Sequence, residues 1–412
     1  MSDDTLRQRR AGTPPGISAE TPAEAPGTRI FTGPAVVASC VGFVLIGALQ
    51  APYGPAIPAL REKFGLSPSG AGLALSAHFV GGVVGVLLFD QLYGRVGNRS
   101  VIGASYLLMA VGTAGFALAP SRPVALLAAL LAGFGFGGID YGLNQLFAVG
   151  FGERSTTMPN ILNAHFGVGA ILGPALIAAV GAAHYGAVFL GFELVTLPLM
   201  LCLGGIRRTA ARAADGEADP SGTRPQARGR SLGTVLAVFV TLYVLHVAIE
   251  AGVGGWEPTH LETVGCSAGA AATATSVYWL MMTVGRFLVA PVALRFSAQS
   301  IIAVSCAGMT GCLLLAGVPG LAPYAYAGVG LFIAPIFPTG LPWLSRAPRA
   351  RRAGALVIAA SMVGGVAAGP VLGRAIELSG VRAVPLLLCA LSAACLAATV
   401  WLIRATRPAE DH

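Results

Sequence analysis

Four polar side chains stand inside stretches that are otherwise apolar and rich in glycine. Asp140 and Asn144 close the run Gly133-Phe-Gly-Phe-Gly-Gly-Ile-Asp140-Tyr-Gly-Leu-Asn144. Asn163 and His165 stand in Met158-Pro-Asn-Ile-Leu-Asn163-Ala-His165-Phe-Gly. A spacing of four puts Asp140 and Asn144 on one face of a helix. Together the acid, amides and imidazole offer a proton carrier and several partners for hydroxyl groups. An acid facing lipid costs about 3 kcal/mol or more, so Asp140 belongs on a bundle interior or a water-filled cavity. Two readings follow: a neutral acid bonded to a neighbouring helix, or a site for a proton or a substrate.

A second set lies further along. Glu250, expected one or two turns below an end of its apolar stretch, follows His246 by four residues. It is either a structural partner of that imidazole or an acceptor for a hydroxyl or a proton. Tyr278 and Trp279 suit stacking on a sugar ring, and suit ordinary packing equally well. Glu193 has no motif around it and reads as structural. Gln50, Tyr53 and Trp256 flank breaks rich in Pro and Gly: Gln50-Ala-Pro52-Tyr53-Gly54-Pro55-Ala-Ile-Pro58 and Glu250-Ala-Gly-Val-Gly-Gly-Trp256-Glu-Pro258. Pro and Gly interrupt helices, and interruptions inside a membrane are tolerated where they line a cavity.

The surrounding chain determines what can hold such residues. Its 412 residues are 55% hydrophobic and 11% charged, against about 25% charged in soluble domains, and mean hydropathy is +0.74. This is an integral membrane protein. Apolar spans long enough to cross a bilayer recur near 32–56, 70–93, 100–119, 123–150, 159–182, 186–205, 232–255, 267–291, 299–317, 321–344, 353–374 and 382–403. The expected fold is therefore all-α, with twelve spans in two six-helix halves. Residues 1–29 read as a tail without an apolar run, 30–205 as the first half, 206–231 as a basic linker, 232–404 as the second half, and 405–412 as a short tail.

The net charge of +8 sits in short loops and reads as a topology signal, not a nucleic-acid surface. Placing the tails, the linker and loops 2–3, 4–5, 8–9 and 10–11 on one side collects most arginines there. Arg61, Lys63, Arg122 and Arg382 are left on the other. Both termini are then expected in the cytoplasm. The seven cysteines lack CxxC spacing and read as small apolar residues, with no metal site expected. Walker A, HExxH and GxSxG signatures are missing, so ATP-driven pumping, metalloprotease and serine-hydrolase chemistry lose their usual marks.

The halves repeat each other. At an offset of 200, Ala51, Gly54, Pro58, Glu62, Gly65, Ser76, Gly85, Arg95 and Ser105 meet identical residues, from Ala251 to Ser305. Gly169-x-x-x-Gly173-Pro174 is echoed by Gly365-x-x-x-Gly369-Pro370. A six-span repeat with paired interruptions marks a two-lobed secondary transporter with its site between the lobes.

Twelve spans, the repeat and a basic linker resemble the major facilitator superfamily. The loop Asp90-Gln-Leu-Tyr-Gly94-Arg95-Val-Gly97-Asn-Arg99 resembles its gating loop, although the usual acid position holds Gly94 and Asp90 lies a turn earlier. Gly285-Arg286 through Arg295 matches it in the second half. The Gly-rich run with Asp140 and Asn144, the Asn163 and His165 stretch, Tyr243…Glu250…Trp256 and Tyr278-Trp279…Gly285-Arg286 resemble the fucose–galactose–glucose:proton symporter group. Where that group carries a span-5 histidine this chain has Asn163, with His165 two residues later, and span 1 holds no acid.

The resemblance implies a secondary transporter in the cytoplasmic membrane that moves a small polar solute, sugar or sugar-like, by alternating access. A proton is the expected coupling ion, with sodium the alternative, and no cofactor is called for. Asp140 would couple, with Asn144, Asn163, His165, Gln50 and Tyr53 facing Glu250, Trp256, Tyr278 and Trp279. The expected partners are the solute and the bilayer, with the protein a monomer and not an enzyme. The competing reading is a proton-driven exporter of an amphipathic molecule. A transporter-like sensor would bring a soluble signalling domain, and a membrane enzyme a nucleophile–base pair.

Overall fold

The computed structural model describes residues 30–92, 95–151, 158–206, 232–345 and 354–406. The expected first tail, the linker apart from Ile206 and the second tail apart from Ala405 and Thr406 lie outside them; those last two continue α14 past the expected end of the second half at 404. Fourteen α-helices occur among the described residues. The first half is α1 (Gly33–Gln50), α2 (Tyr53–Phe64), α3 (Pro68–Leu92), α4 (Asn98–Ala117), α5 (Arg122–Val149), α6 (Met158–Val180) and α7 (Tyr185–Cys202). The second is α8 (Leu232–Thr263), α9 (Ala268–Val292), α10 (Ala298–Leu315), α11 (Ala322–Ile333), α12 (Ile336–Ser345), α13 (Gly354–Ser379) and α14 (Val384–Thr406). The pairs α1–α2 and α11–α12 each form one bent span, so the fourteen helices make twelve crossings. Nine described helices are long and apolar enough to cross a bilayer singly.

The repeat is visible in how helices stop. Gly65 and Gly265 end α2 and α8 with φ of 62° and 106°, and Gly181 and Gly380 end α6 and α13 with φ of 90° and 82°. These conformations suit a residue without a Cβ. Each of the second pair is followed by a 3₁₀ turn, 182–184 and 381–383.

The interruptions differ from the expectation. The first is a bend at Ala51–Pro52 whose residues keep right-handed helical angles. In span 7 α8 runs unbroken through Gly252, Gly254, Gly255 and Pro258. The reason is local: a proline removes only its own N–H, which frees the carbonyl four residues earlier. Pro258 frees the Gly254 carbonyl in this way, and that oxygen rests against Gly54 of α2, where any Cβ would collide with it. The glycines therefore bring two helices together and do not open α8. A second bend of the same kind lies in span 10, at Ala334–Pro335, where Ala334 also keeps right-handed helical angles. Because α8 continues to Thr263, Glu250 lies near its middle and not one or two turns from its end.

One end of the bundle holds Ile206 and Leu232; call it the linker end. The halves are clasped at the opposite, far end. Gly72 and Gly369 meet backbone to backbone, and the Ser76 hydroxyl donates to the Val366 carbonyl. The N–H of Ser69 donates to Glu377 Oε1 at 3.0 Å, its hydroxyl donates to the same oxygen, and Arg374 Nη1 donates to Oε2 at 2.9 Å. Glu377 thus takes up a free donor in the first turn of α3. Arg374 adds a cation to the four expected at this end. Moving inward, Phe79 lies against Gly365 and Phe136 and Met362 border Gly82. Each half has its own apolar core, one around Phe43, Phe116 and Phe189 and one around Trp256, Tyr278 and Tyr326.

Candidate substrate and proton site

The expected spacing on α5 produces a direct bond. Asn144 Nδ2 donates to Asp140 Oδ1 at 3.1 Å and to the Asp140 carbonyl at 3.0 Å. From α6, Asn163 Nδ2 donates to Asn144 Oδ1 at 2.7 Å and to the Pro159 carbonyl at 2.8 Å. The proline ring of Pro159 leaves α6 free to begin there, which brings Asn163 level with Asn144. A chain of amide donors therefore runs from α6 to the carboxyl of Asp140, and each link orients the next.

Across the bundle, His246 Nε2 lies 3.5 Å from Glu250 Oε2 on α8. Tyr278 of α9 directs its hydroxyl to the Glu250 carbonyl at 3.4 Å. The Arg286 guanidinium of α9 is within electrostatic reach of Asp140, Glu250, His246 and Tyr278. Its side chain makes one bond among the described residues, from Nη2 to Met282 Sδ at 3.6 Å. Two carboxyls, one from each half, thus share the field of one guanidinium. The seam between the halves is tight here: Thr283 closes on Gly167, and the rings of Phe166 and Trp279 meet edge to face at 6.3 Å.

Other residues singled out from sequence occupy different surroundings. Tyr53 lies in the first half's core, against His78, Phe116 and Phe189. Trp256 is completely buried in the second core, with its indole N–H unpaired. Tyr278 is also fully buried, its ring edge to face with that of Trp279. Trp279 reaches the seam, where Gly254 leaves room for its ring. The Nδ1 of His165 lies 2.7 Å from the Ile161 carbonyl of its own helix. Gln50 keeps a buried, unpaired Oε1 at the bend of span 1. Glu193 accepts from Thr196 within α7 at 3.0 Å. Sequence reasoning gave Arg286, toward the cytoplasmic end of span 8, a structural pair or a gate contact; its electrostatic reach to both acids had no signal beyond an arginine inside an apolar span.

The model of the Major Facilitator Superfamily matches residues 39–367. The chain belongs to this superfamily. It is a multi-pass membrane transporter and not an enzyme, with the twelve-span, two-half fold. A gentisate transporter from Corynebacterium glutamicum is 28% identical over 301 residues, 68% of this chain and 66% of that protein. An arabinose-proton symporter from Bacillus subtilis is 32% identical over 105 residues, 25% of this chain and 23% of that protein. The matches therefore span less than two thirds of these relatives' lengths. In fold, a D-xylose-proton symporter superposes with a TM-score of 0.72 at 15% identity, covering 91% of this chain and 98% of that one. The fucose:proton symporter of E. coli gives 0.61 at 16% identity, covering 89% and 98%.

The two stretches expected to be gating loops fall at the linker end. Asp90 accepts a bond from the Tyr141 hydroxyl at 2.7 Å, which ties the end of α3 to α5. Arg95, Arg99 and Arg295 are exposed. Gly94, at the superfamily's usual acid position, lies outside the described residues.

Proposed function

We propose that this transporter carries a small hydroxyl-rich solute, a sugar or sugar-like compound, together with a proton. The supporting observation is the continuous chain Asn163–Asn144–Asp140 opposite Glu250 and His246. It pairs one titratable carboxyl with amides suited to hydroxyl groups. A carboxyl whose hydration changes between two states of a protein can load a proton in one and release it in the other. Asp140 is the coupling group in this reading; Asn144 and Asn163 orient it and bind the solute, and Trp279 offers an apolar face at the seam. By the positive-inside rule the linker end is cytoplasmic, in the inner membrane, and the far-end clasp then closes the outer side.

A second substrate class has its own observation. A guanidinium within a membrane span normally pairs with an anion, and Arg286 meets only a thioether among the described residues. A hydroxylated aromatic acid would supply both the anion and the hydroxyls, in keeping with the gentisate-transporter relative.

The test is uptake into reconstituted vesicles of labelled arabinose, other pentoses and hexoses, and gentisate, under an imposed pH gradient. The direction of movement along the gradient separates symport from proton-driven export. Asp140→Asn keeps size and hydrogen bonding but cannot titrate. It is expected to lose accumulation driven by the gradient and to keep solute-for-solute exchange, which cycles only the loaded carrier. Asp140→Glu is expected to retain part of the coupling. If Asp140→Asn concentrates the solute as well as the parent does, Asp140 is not the coupling group.

A further inference from the structure

On α8 the second half extends the central site's His246 and Glu250 into a longer row of titratable groups. On α8, His246, Glu250, Glu257 and His260 are separated by four, seven and three residues. They therefore share one face over fourteen residues, roughly 21 Å of helix. Glu257 is the unexpected member. It is 0% exposed, and neither carboxyl oxygen has a hydrogen bond of acceptable geometry. The nearby Thr275 hydroxyl of α9 is directed to the Ala271 carbonyl at 3.3 Å. No ion pair to Glu257 occurs among the described residues.

A side chain needed only for packing would be apolar at this position, because burying a carboxyl without a counter-ion is costly. The surroundings suggest a different use. Tyr278 of α9 lies within electrostatic reach of both Glu250 and Glu257, and Tyr326 of α11 within reach of Glu257. The Tyr326 hydroxyl is 3.2 Å from His260 Nδ1. His260 in turn feels Arg382, an exposed residue of the far-end 3₁₀ turn. Arg286 acts on Tyr278 from the central side. Glu257 thus has titratable neighbours on both sides: Tyr326, bonded to His260, toward the far surface, and Tyr278 toward the central acids.

We propose that α8 carries a proton relay from the far end to the central site, with Glu257 as its intermediate carrier. The relay rests on the proton-coupled reading above and adds the route. A proton from the far-side solution binds the imidazole of His260. The imidazolium gives it to Tyr326, whose own hydroxyl proton passes to the Glu257 carboxylate, so the phenol ends unchanged. Glu257 then gives its proton to the Glu250 carboxylate through the Tyr278 hydroxyl in the same manner. Re-packing of α8, α9 and α11 as the halves swing brings successive partners into contact. The proton thereby enters by a path inside the second half, separate from the seam that the solute uses.

The test uses the full chain in vesicles with labelled arabinose as first probe, then the other solutes named above. The parent is measured first; a parent with no gradient-driven accumulation would sink the symport reading and the relay together. With a working parent, Glu257→Gln is expected to lower gradient-driven accumulation at least tenfold and leave solute exchange within twofold. Tyr326→Phe, which removes only the hydroxyl that meets His260, is expected to slow gradient-driven uptake with exchange unchanged. Unchanged accumulation in Glu257→Gln overturns the relay while leaving the symport reading intact. Equal loss of accumulation and exchange in a folded Glu257→Gln makes the residue structural and also overturns it. If Glu257→Gln does not fold, Tyr326→Phe decides, and parental uptake by that variant refutes the proposal.

Discussion

Gly373→Ala tests the far-end clasp most directly. A Cβ at Gly373 would fall 2.6 Å from Ser69 Cα and 2.7 Å from Ser69 N, both backbone atoms of α3. Favourable contact between such atoms begins near ~3.5 Å, so α3 and α13 must part by about 1 Å. Overpacking of this size costs about 1–3 kcal/mol. The cost applies only while the far end is closed, because the two helices separate when it opens. A penalty confined to one state shifts the balance between states by its full amount. At about 1.4 kcal/mol per factor of ten, the far-open population rises roughly 5- to 150-fold.

The reporter is Ala71→Cys, which replaces a residue 1% exposed near the start of α3, in a background without the native cysteines. Its labelling rate by an impermeant maleimide applied at the far side follows the open fraction. Gly311→Ala serves as control, since its Cβ meets nothing within 4 Å. A folded Gly373→Ala protein that labels no faster than the control would refute the clasp argument.

Glu377→Gln, which removes the charge gripping Ser69, is expected to speed the same labelling. Because Gly373 and Glu377 both act on Ser69, the double variant should fall short of the product of the single effects. Gly254→Ala would set a Cβ 3.3 Å from the Trp279 ring; solute affinity should weaken several-fold while folded yield holds, and equal loss of both would assign the contact to structure alone. Cysteines placed in 207–231 should react with the impermeant reagent only from the cytoplasmic face. Labelling from outside intact cells would reverse the orientation.

Much of the site was legible because its signals were local. Asp140 with Asn144 and His246 with Glu250 are four apart, and helical geometry alone joins them. The six-span repeat was equally readable, down to the glycines that end matching helices. What escaped was the facing of residues within spans. A helix buried in protein on one side and lipid on the other is apolar all round, so periodicity carries little information. Tyr53 therefore could not be assigned to the first half's core, nor Arg286 to the centre. The Pro-Gly stretches misled for a related reason: the same residues bend α1–α2, yet on α8 they provide a smooth backbone against which another helix rests.

The ends of the first half are tied to each other. The N–H of Thr32, just before α1, donates to the Gly205 carbonyl just after α7 at 3.0 Å, and Phe31 pairs with Ile206 beside it. Chain entry and exit are thus fastened at one point, with a separate apolar core beneath them. The covalent connection to the second half then has little architectural work to do. A gene cut within the codons for 207–231, with its two pieces expressed side by side, should yield fragments that each insert, find one another through the seam and assemble into one carrier.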